Sequence, residues 1–112
     1  TCVRDYIDIN DLAKAHFLAL TKMECSEKTF FENLNLGTGK PKSVMDIIKI
    51  FENISGIKLK YEIGCRRDGD VEAIYTSTIQ ANKSLMWEAK TDISESIKNA
   101  WLWQKKLVED KK

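Results

Sequence analysis

Metal-binding chemistry is what this sequence has least of: histidine occurs once, at His16, and the three cysteines, Cys2, Cys25 and Cys65, form no CxxC pair. A standard zinc site draws four such ligands at characteristic spacing, so this inventory excludes one. Thiols without a framework fit a reducing compartment, and a cytoplasmic protein is expected. A charge surplus is missing too. Lysine and arginine total 18 against 17 aspartates and glutamates, a net +1, which leaves no broad electrostatic footprint for nucleic acid or an acidic membrane surface. Any anion must be held locally. No apolar run approaches the roughly 18 residues of a membrane span, and no charged start leads into an apolar stretch as in a signal peptide. The expectation is a soluble chain with no membrane or nucleic-acid partner. Repeats, low-complexity tracts and linkers are also absent. The 112 residues, 43% of them apolar, therefore read as one domain or part of one, with a modest core. The chain opens at Thr1 and runs straight into Cys2-Val3-Arg4-Asp5-Tyr6-Ile7 without a methionine, which reads as a piece of something longer.

What is present alternates between strand and helix patterns. Tyr6, Ile7 and Ile9 form a short β-prone run, and Asn10 or Asp11 can then cap a helix with Leu12, Ala15, His16, Ala19, Leu20 and Met23 on one face. Phe30 to Leu36 has the partial alternation of a strand and ends at Gly37-Thr38-Gly39. Ser43 with Asp46 resembles a capping box, followed at helical spacing by Val44, Ile47, Ile48, Phe51 and Ile54 until Gly56 stops the helix. Ile57, Leu59, Tyr61 and Ile63 alternate with charged residues, as in a strand with one face on a core. A charged loop, Gly64 to Asp70, precedes a short helix over Ile79 to Leu85, capped by Ser77 or Thr78. Asp92 with Glu95 predicts a second capping box, opening a last helix with Ile93, Ile97, Ala100, Trp101, Gln104 and Val108 on one side and Trp103 elsewhere. This alternation predicts an α/β fold.

Two stretches invite a phosphate-binding reading, and both fall short as motifs. Gly37-Thr38-Gly39-Lys40 lacks the first glycine of a Walker loop, where Leu34 stands, and its Ser or Thr, where Pro41 stands. A dinucleotide GxGxxG fails as well, because Lys42 takes the third glycine's position. A glycine turn between strand and helix is the simpler account. In Arg66-Arg67-Asp68-Gly69-Asp70 two guanidinium forks could meet phosphate oxygens while an aspartate accepts from ribose hydroxyls. Taken alone, a solvated charged turn explains that stretch better. Arg4 and Tyr6, two residues apart, could likewise grip a phosphate and line a base or sugar, or form a plain salt-bridged strand edge. His16 reads as a packed or boundary histidine, Trp87, Trp101 and Trp103 as core and anchoring residues, and Cys65 as a spectator.

The blocks Cys2-Val3-Arg4-Asp5-Tyr6-Ile7, Asn35-Leu36-Gly37-Thr38-Gly39, Arg66-Arg67-Asp68-Gly69-Asp70 and Trp101-Leu102-Trp103-Gln104 occur in this order, with Trp87 before the last. Together they resemble the C-terminal part of the UDP-glucose 4-epimerase family, extended short-chain dehydrogenase/reductases. In that family a Rossmann domain holds NAD and a smaller C-terminal region holds the UDP-sugar. The resemblance implies that residues 1–112 are the UDP-sugar-binding region, together with edge elements of the Rossmann sheet. It implies that Arg4 and Arg67 contact the UDP diphosphate, Tyr6 lines the nucleotide site, Val44 lies against the nucleotide, and Asp70 binds the ribose. Ile74 aligns with a sugar-pocket position whose bulk influences whether N-acetylated sugars fit. The implied partners are UDP-glucose and UDP-galactose, interconverted by NAD-dependent hydride transfer at C4 in galactose metabolism, and the implied assembly of the whole protein is a homodimer.

The family's catalytic tyrosine is followed four residues later by lysine. Four positions after Tyr6, Tyr61 and Tyr75 stand Asn10, Cys65 and Ile79, so no catalytic residue is assigned here. Two departures from the family pattern are Asp8, where histidine is usual and drift on a strand is the reading, and an end without the customary proline. A dehydratase, decarboxylase or uronate epimerase of the same fold, or a non-catalytic interaction module, are the alternatives.

Overall fold

Helix α2 (Val44–Ser55) forms where the sequence predicts it. In the computed structural model, which describes residues 1–110, Ser43 Oγ accepts the Asp46 N–H at 3.1 Å and Asp46 Oδ2 accepts the Ser43 N–H at 3.0 Å, a reciprocal capping box. Gly56 ends the helix in the left-handed region, φ 70°, its N–H reaching the Glu52 carbonyl. Helix α4 (Ile93–Glu109) packs on α2, with Phe51 meeting Trp101 edge-on at 5.3 Å between ring centroids. Its cap is simpler than expected. Asp92 accepts the Ser94 N–H at 2.8 Å, with no return bond from Glu95. Trp103 is 60% exposed, on the side away from the packed stripe.

The first strand and helix are shifted from the expected positions. The strand is β1 (Val3–Arg4), and Ile9 is already the first residue of α1 (Ile9–Glu24), capped by Asp8 rather than Asn10 or Asp11. Asp8 is the first side-chain acceptor in reach of the helix's free N–H groups, taking the Asn10 N–H at 2.8 Å. Its place is therefore a helix cap, not a strand position open to drift. The buried side of α1 is also rotated from the expected one. Ala15 is fully buried and Leu18 and Ala19 pack beside it, whereas Leu20 and Met23 are 60% and 62% exposed and His16 faces solvent. Two alanines, Ala15 and Ala81, let α1 and α3 (Ile79–Leu85) approach closely, and Leu85 and Trp87 complete a small core flanked by Ile7, Leu34 and Leu36. Thr78 leads α3 through its carbonyl, which accepts the Asn82 N–H, and its side chain makes no cap.

Two expected strands do not form. Phe30 to Leu36 retains alternating burial at Glu32, Leu34 and Leu36, and Ile57 to Ile63 is exposed throughout, but among the described residues neither has a strand beside it. Alternation becomes a ladder only when a neighbour supplies the backbone partners. Side chains tie both segments down instead. Lys22 Nζ donates to Glu32 Oε2 at 2.6 Å and to Ser84 Oγ, and Glu52 accepts the Leu59 N–H at 2.9 Å. The radius of gyration, 17.6 Å, exceeds the roughly 13 Å of a compact chain this long. Much apolar surface stays open as a result, including Ile9, Phe17, Leu20 and Met23 along α1, and Phe31.

Candidate functional site

A three-stranded sheet gathers the scattered candidate residues. β1 lies in the middle, antiparallel to β2 (Lys42–Ser43) and parallel to β3 (Ala73–Ile74), so Arg4 stands in register between Lys42 and Ile74. Val44 follows β2 directly, and its N–H donates to the Cys2 carbonyl at 3.1 Å. On the other edge, the turn before β3 carries Arg67 and Asp70. It is closed by the Asp70 N–H on the Arg67 carbonyl at 3.2 Å and shaped by Gly69 at φ +83°. Arg4 leans toward that turn. Its Nη1 donates to the Val71 carbonyl at 3.0 Å, and its Nη2 lies 4.0 Å from Asp70 Oδ1. Arg67 is exposed, and Arg66 pairs loosely with Glu72 at 3.9 Å.

Tyr6 stands on the opposite flank from Arg67 and Asp70. It lines a cleft of about 380 Å³ together with Thr38, Lys40, Lys42, Lys90 and Asp92. Arg4 links the flanks, since it pairs with Lys42 on one side and reaches Asp70 on the other. The arrangement offers guanidinium and ammonium groups for an anion, a carboxylate for hydroxyls, and the apolar Val44 and Ile74, respectively 40% and 52% exposed, for a base or sugar face.

Three aspartates, Asp5, Asp8 and Asp11, hold this arrangement together in roles other than those expected from the sequence. Asp5 Oδ1 accepts the Thr38 N–H at 2.9 Å and the Thr38 hydroxyl at 2.5 Å, and Asp5 Oδ2 accepts the Gly39 N–H at 2.9 Å. The glycine turn therefore does cradle an anion, but the anion is the chain's own carboxylate. Three residues on, Asp8 is buried. The hydroxyl of Ser96 in α4 holds its carboxyl below the usual range, burial opposes this, and the Asn10 N–H adds to the lowering. Three further on, Asp11 Oδ2 accepts the N–H groups of Lys90 and Thr91 at 3.0 and 2.8 Å. Asp5 and Asp11 thus satisfy groups of segments far along the chain, while Asp8 accepts the Asn10 N–H of the helix it caps. Their spacing of three was visible in the sequence, their partners were not.

Among the described residues no group of three or more histidines, cysteines, aspartates or glutamates is arranged to hold a metal ion, and no helix is long and apolar enough to cross a membrane. His16 Nδ1 lies 2.8 Å from the Leu12 carbonyl oxygen on an exposed surface.

No protein-family model matches the chain. Curated relatives do. The chain is 45% identical over 106 residues to UDP-glucose 4-epimerase 2 of Oryza sativa subsp. japonica, covering 95% of this chain and 26% of that protein. It is 44% identical over 104 residues to the UDP-glucose 4-epimerase of Drosophila melanogaster, covering 93% of this chain and 30% of the relative. Among solved structures, the Stenotrophomonas maltophila UDP-glucose-4-epimerase with bound NAD and formylated UDP-arabinopyranose superposes with a TM-score of 0.90 at 35% identity, over 98% of this chain and 32% of that one. The Bifidobacterium longum UDP-glucose 4-epimerase in complex with NAD+ and UDP gives 0.86 at 38% identity, over 95% and 31%. This chain thus spans less than a third of the proteins it matches. It is homologous to the C-terminal part of the UDP-glucose 4-epimerases, within the extended short-chain dehydrogenase/reductase fold.

Proposed function

We propose that this chain is the UDP-sugar-binding region of a UDP-glucose 4-epimerase, an isomerase whose NAD-binding Rossmann unit and catalytic Tyr-x-x-x-Lys lie in a further segment. The observation that carries the reading is the sheet, which brings Arg4, Val44 and Ile74 to one place and sets the Arg67–Asp70 turn at its edge. Arg4 and Arg67 grip the diphosphate, Asp70 accepts from the ribose, Tyr6 and Val44 line the nucleotide, and Ile74 borders the sugar. Two guanidinium groups anchor the UDP end and leave the hexose free to turn over between oxidation and reduction at C4.

NAD does not fit the residues of this chain. Among the described residues, the one glycine turn with paired N–H groups facing one acceptor spends them on Asp5, so no hydride step is assigned here. The open apolar stripe of α1 and the unpaired Phe30 to Leu36 segment suit an edge that the Rossmann unit would cover. In the whole protein the reaction is the interconversion of UDP-glucose and UDP-galactose in the cytoplasm, by a homodimer.

Calorimetric titration of the 112-residue chain with UDP tests the binding role. Arg67→Ala should weaken binding roughly ten- to a hundred-fold, the scale of a charge-assisted hydrogen bond, with the circular dichroism spectrum unchanged. Equal affinity in the two proteins would count against the site. The same chain supplied with NAD and UDP-galactose should give no UDP-glucose, and measurable turnover would overturn the division of labour. A second reading changes only the sugar, since a probable UDP-arabinose 4-epimerase of Oryza sativa subsp. japonica is 41% identical over 107 residues. Competition between UDP-hexose and UDP-pentose separates the two.

A further inference from the structure

We infer that Asp5 is a positioning residue of the UDP site, one that sets Arg4 and Tyr6 by locking the Gly37-Thr38-Gly39 turn against the end of β1. This role rests on the UDP reading above. Asp5 lies between the two side chains that reading uses, and its carboxylate is held from elsewhere by two consecutive backbone N–H groups and one hydroxyl, all from residues 33 or 34 positions away. Thr38 Oγ1 in turn accepts the Lys40 N–H at 3.1 Å, which carries the constraint toward Lys42 and Val44. The turn has no room to sit elsewhere. Gly37 is buried, and a Cβ there would fall 2.5 Å from Asp5 Oδ2 and 3.1 Å from Thr76 Cγ2, two residues beyond Ile74. Asp5 therefore ties the exit of β1, which bears Arg4, to the turn that leads into β2 and Val44, and Gly37 of that turn packs close to Thr76, just beyond the β3 strand that bears Ile74.

Asparagine cannot replace it fully. An amide keeps one acceptor oxygen but turns an NH2 toward a donor N–H, so part of the cradle is lost. A structural staple remote from the ligand would lower the melting temperature and leave affinity alone, whereas a positioning residue lowers affinity in a folded chain.

The test is UDP titration of the wild-type, Asp5→Asn, Asp5→Ala, Gly37→Ala and Asp5→Ala/Gly37→Ala chains, each checked by circular dichroism, with amide hydrogen exchange on wild type and Asp5→Asn. The expected result is a tenfold or greater loss of affinity in Asp5→Ala and a smaller loss in Asp5→Asn. Gly37→Ala should weaken binding strongly alone and far less on the Asp5→Ala background, because its steric partner is gone. In Asp5→Asn, protection should drop at the Thr38 and Gly39 amides and persist in α2. If Asp5→Ala fails to fold, the asparagine variant decides: unchanged affinity or unchanged Thr38 and Gly39 exchange overturns the role. Wild-type affinity in a folded Asp5→Ala chain, or strict additivity with Gly37→Ala, also overturns it. Absence of UDP binding by the wild-type chain overturns the nucleotide reading, and this role with it.

Discussion

The glycine turn at Gly37-Thr38-Gly39 and the charged turn at Arg66–Asp70 both border the three-stranded sheet, and they are built in opposite ways. The first is closed from outside, by a carboxylate more than thirty residues away, and its first glycine is buried. The second closes on itself with one backbone hydrogen bond, and its arginines and aspartates are exposed, with Arg66 3.9 Å from Glu72 and Asp70 4.0 Å from Arg4. Exposed pairs of that length contribute little to stability. The difference teaches a division within the proposed site: one turn is rigid before any ligand arrives, while the other keeps its guanidinium groups solvated and free to exchange water for phosphate.

The sharpest way to break the contrast is to add one methyl group to each turn. Gly37→Ala should cost about 2 to 3 kcal/mol, because Asp5 can escape the new Cβ only by giving up its hydrogen bonds. Gly69→Ala meets nothing within 4 Å and pays only for its backbone at φ +83°, about 1 to 2 kcal/mol. Equal losses in chemical denaturation would erase the distinction.

Acid should act on the stapled part of the fold next. Asp8 has its folded pKa lowered, chiefly by the Ser96 hydroxyl, so the folded state binds protons less readily than the unfolded one. Its stabilisation is complete above the unfolded value of 3.8 and disappears as pH falls through the lower folded value. The melting temperature should therefore drop as pH falls below about 4, and Asp8→Asn should flatten that slope while weakening the cap of α1. A slope unchanged by the substitution would remove Asp8 from the account. The smallest effect belongs to the open turn: Asp70→Asn should shift stability by less than about 0.5 kcal/mol, yet weaken UDP binding measurably.

Much of the helical framework was legible in the sequence, because its determinants are local. Ser43, Asp46 and Gly56 bound α2 through contacts within four residues, and the apolar spacing from Ile93 to Val108 marks the side of α4 that meets α2. The strands were not legible. Tyr6 to Ile9, Phe30 to Leu36 and Ile57 to Ile63 all carry β-prone patterns, but pairing settled on Val3–Arg4, Lys42–Ser43 and Ala73–Ile74, short pieces with little pattern of their own. A strand exists where another backbone supplies partners, and propensity does not say where that will be.

The same boundary runs through the site. By itself the sequence marked the residues proposed for the site, two arginines and an aspartate in blocks resembling those of the epimerases, and it holds no tyrosine four residues before a lysine. Only the tertiary structure decided that Arg4 stands between Lys42 and Ile74, that the glycine turn is filled by Asp5 and not by a phosphate, and that Asp8 caps a helix. A hydrogen bond across 33 residues depends on where the chain has already been brought, and no local spacing encodes that.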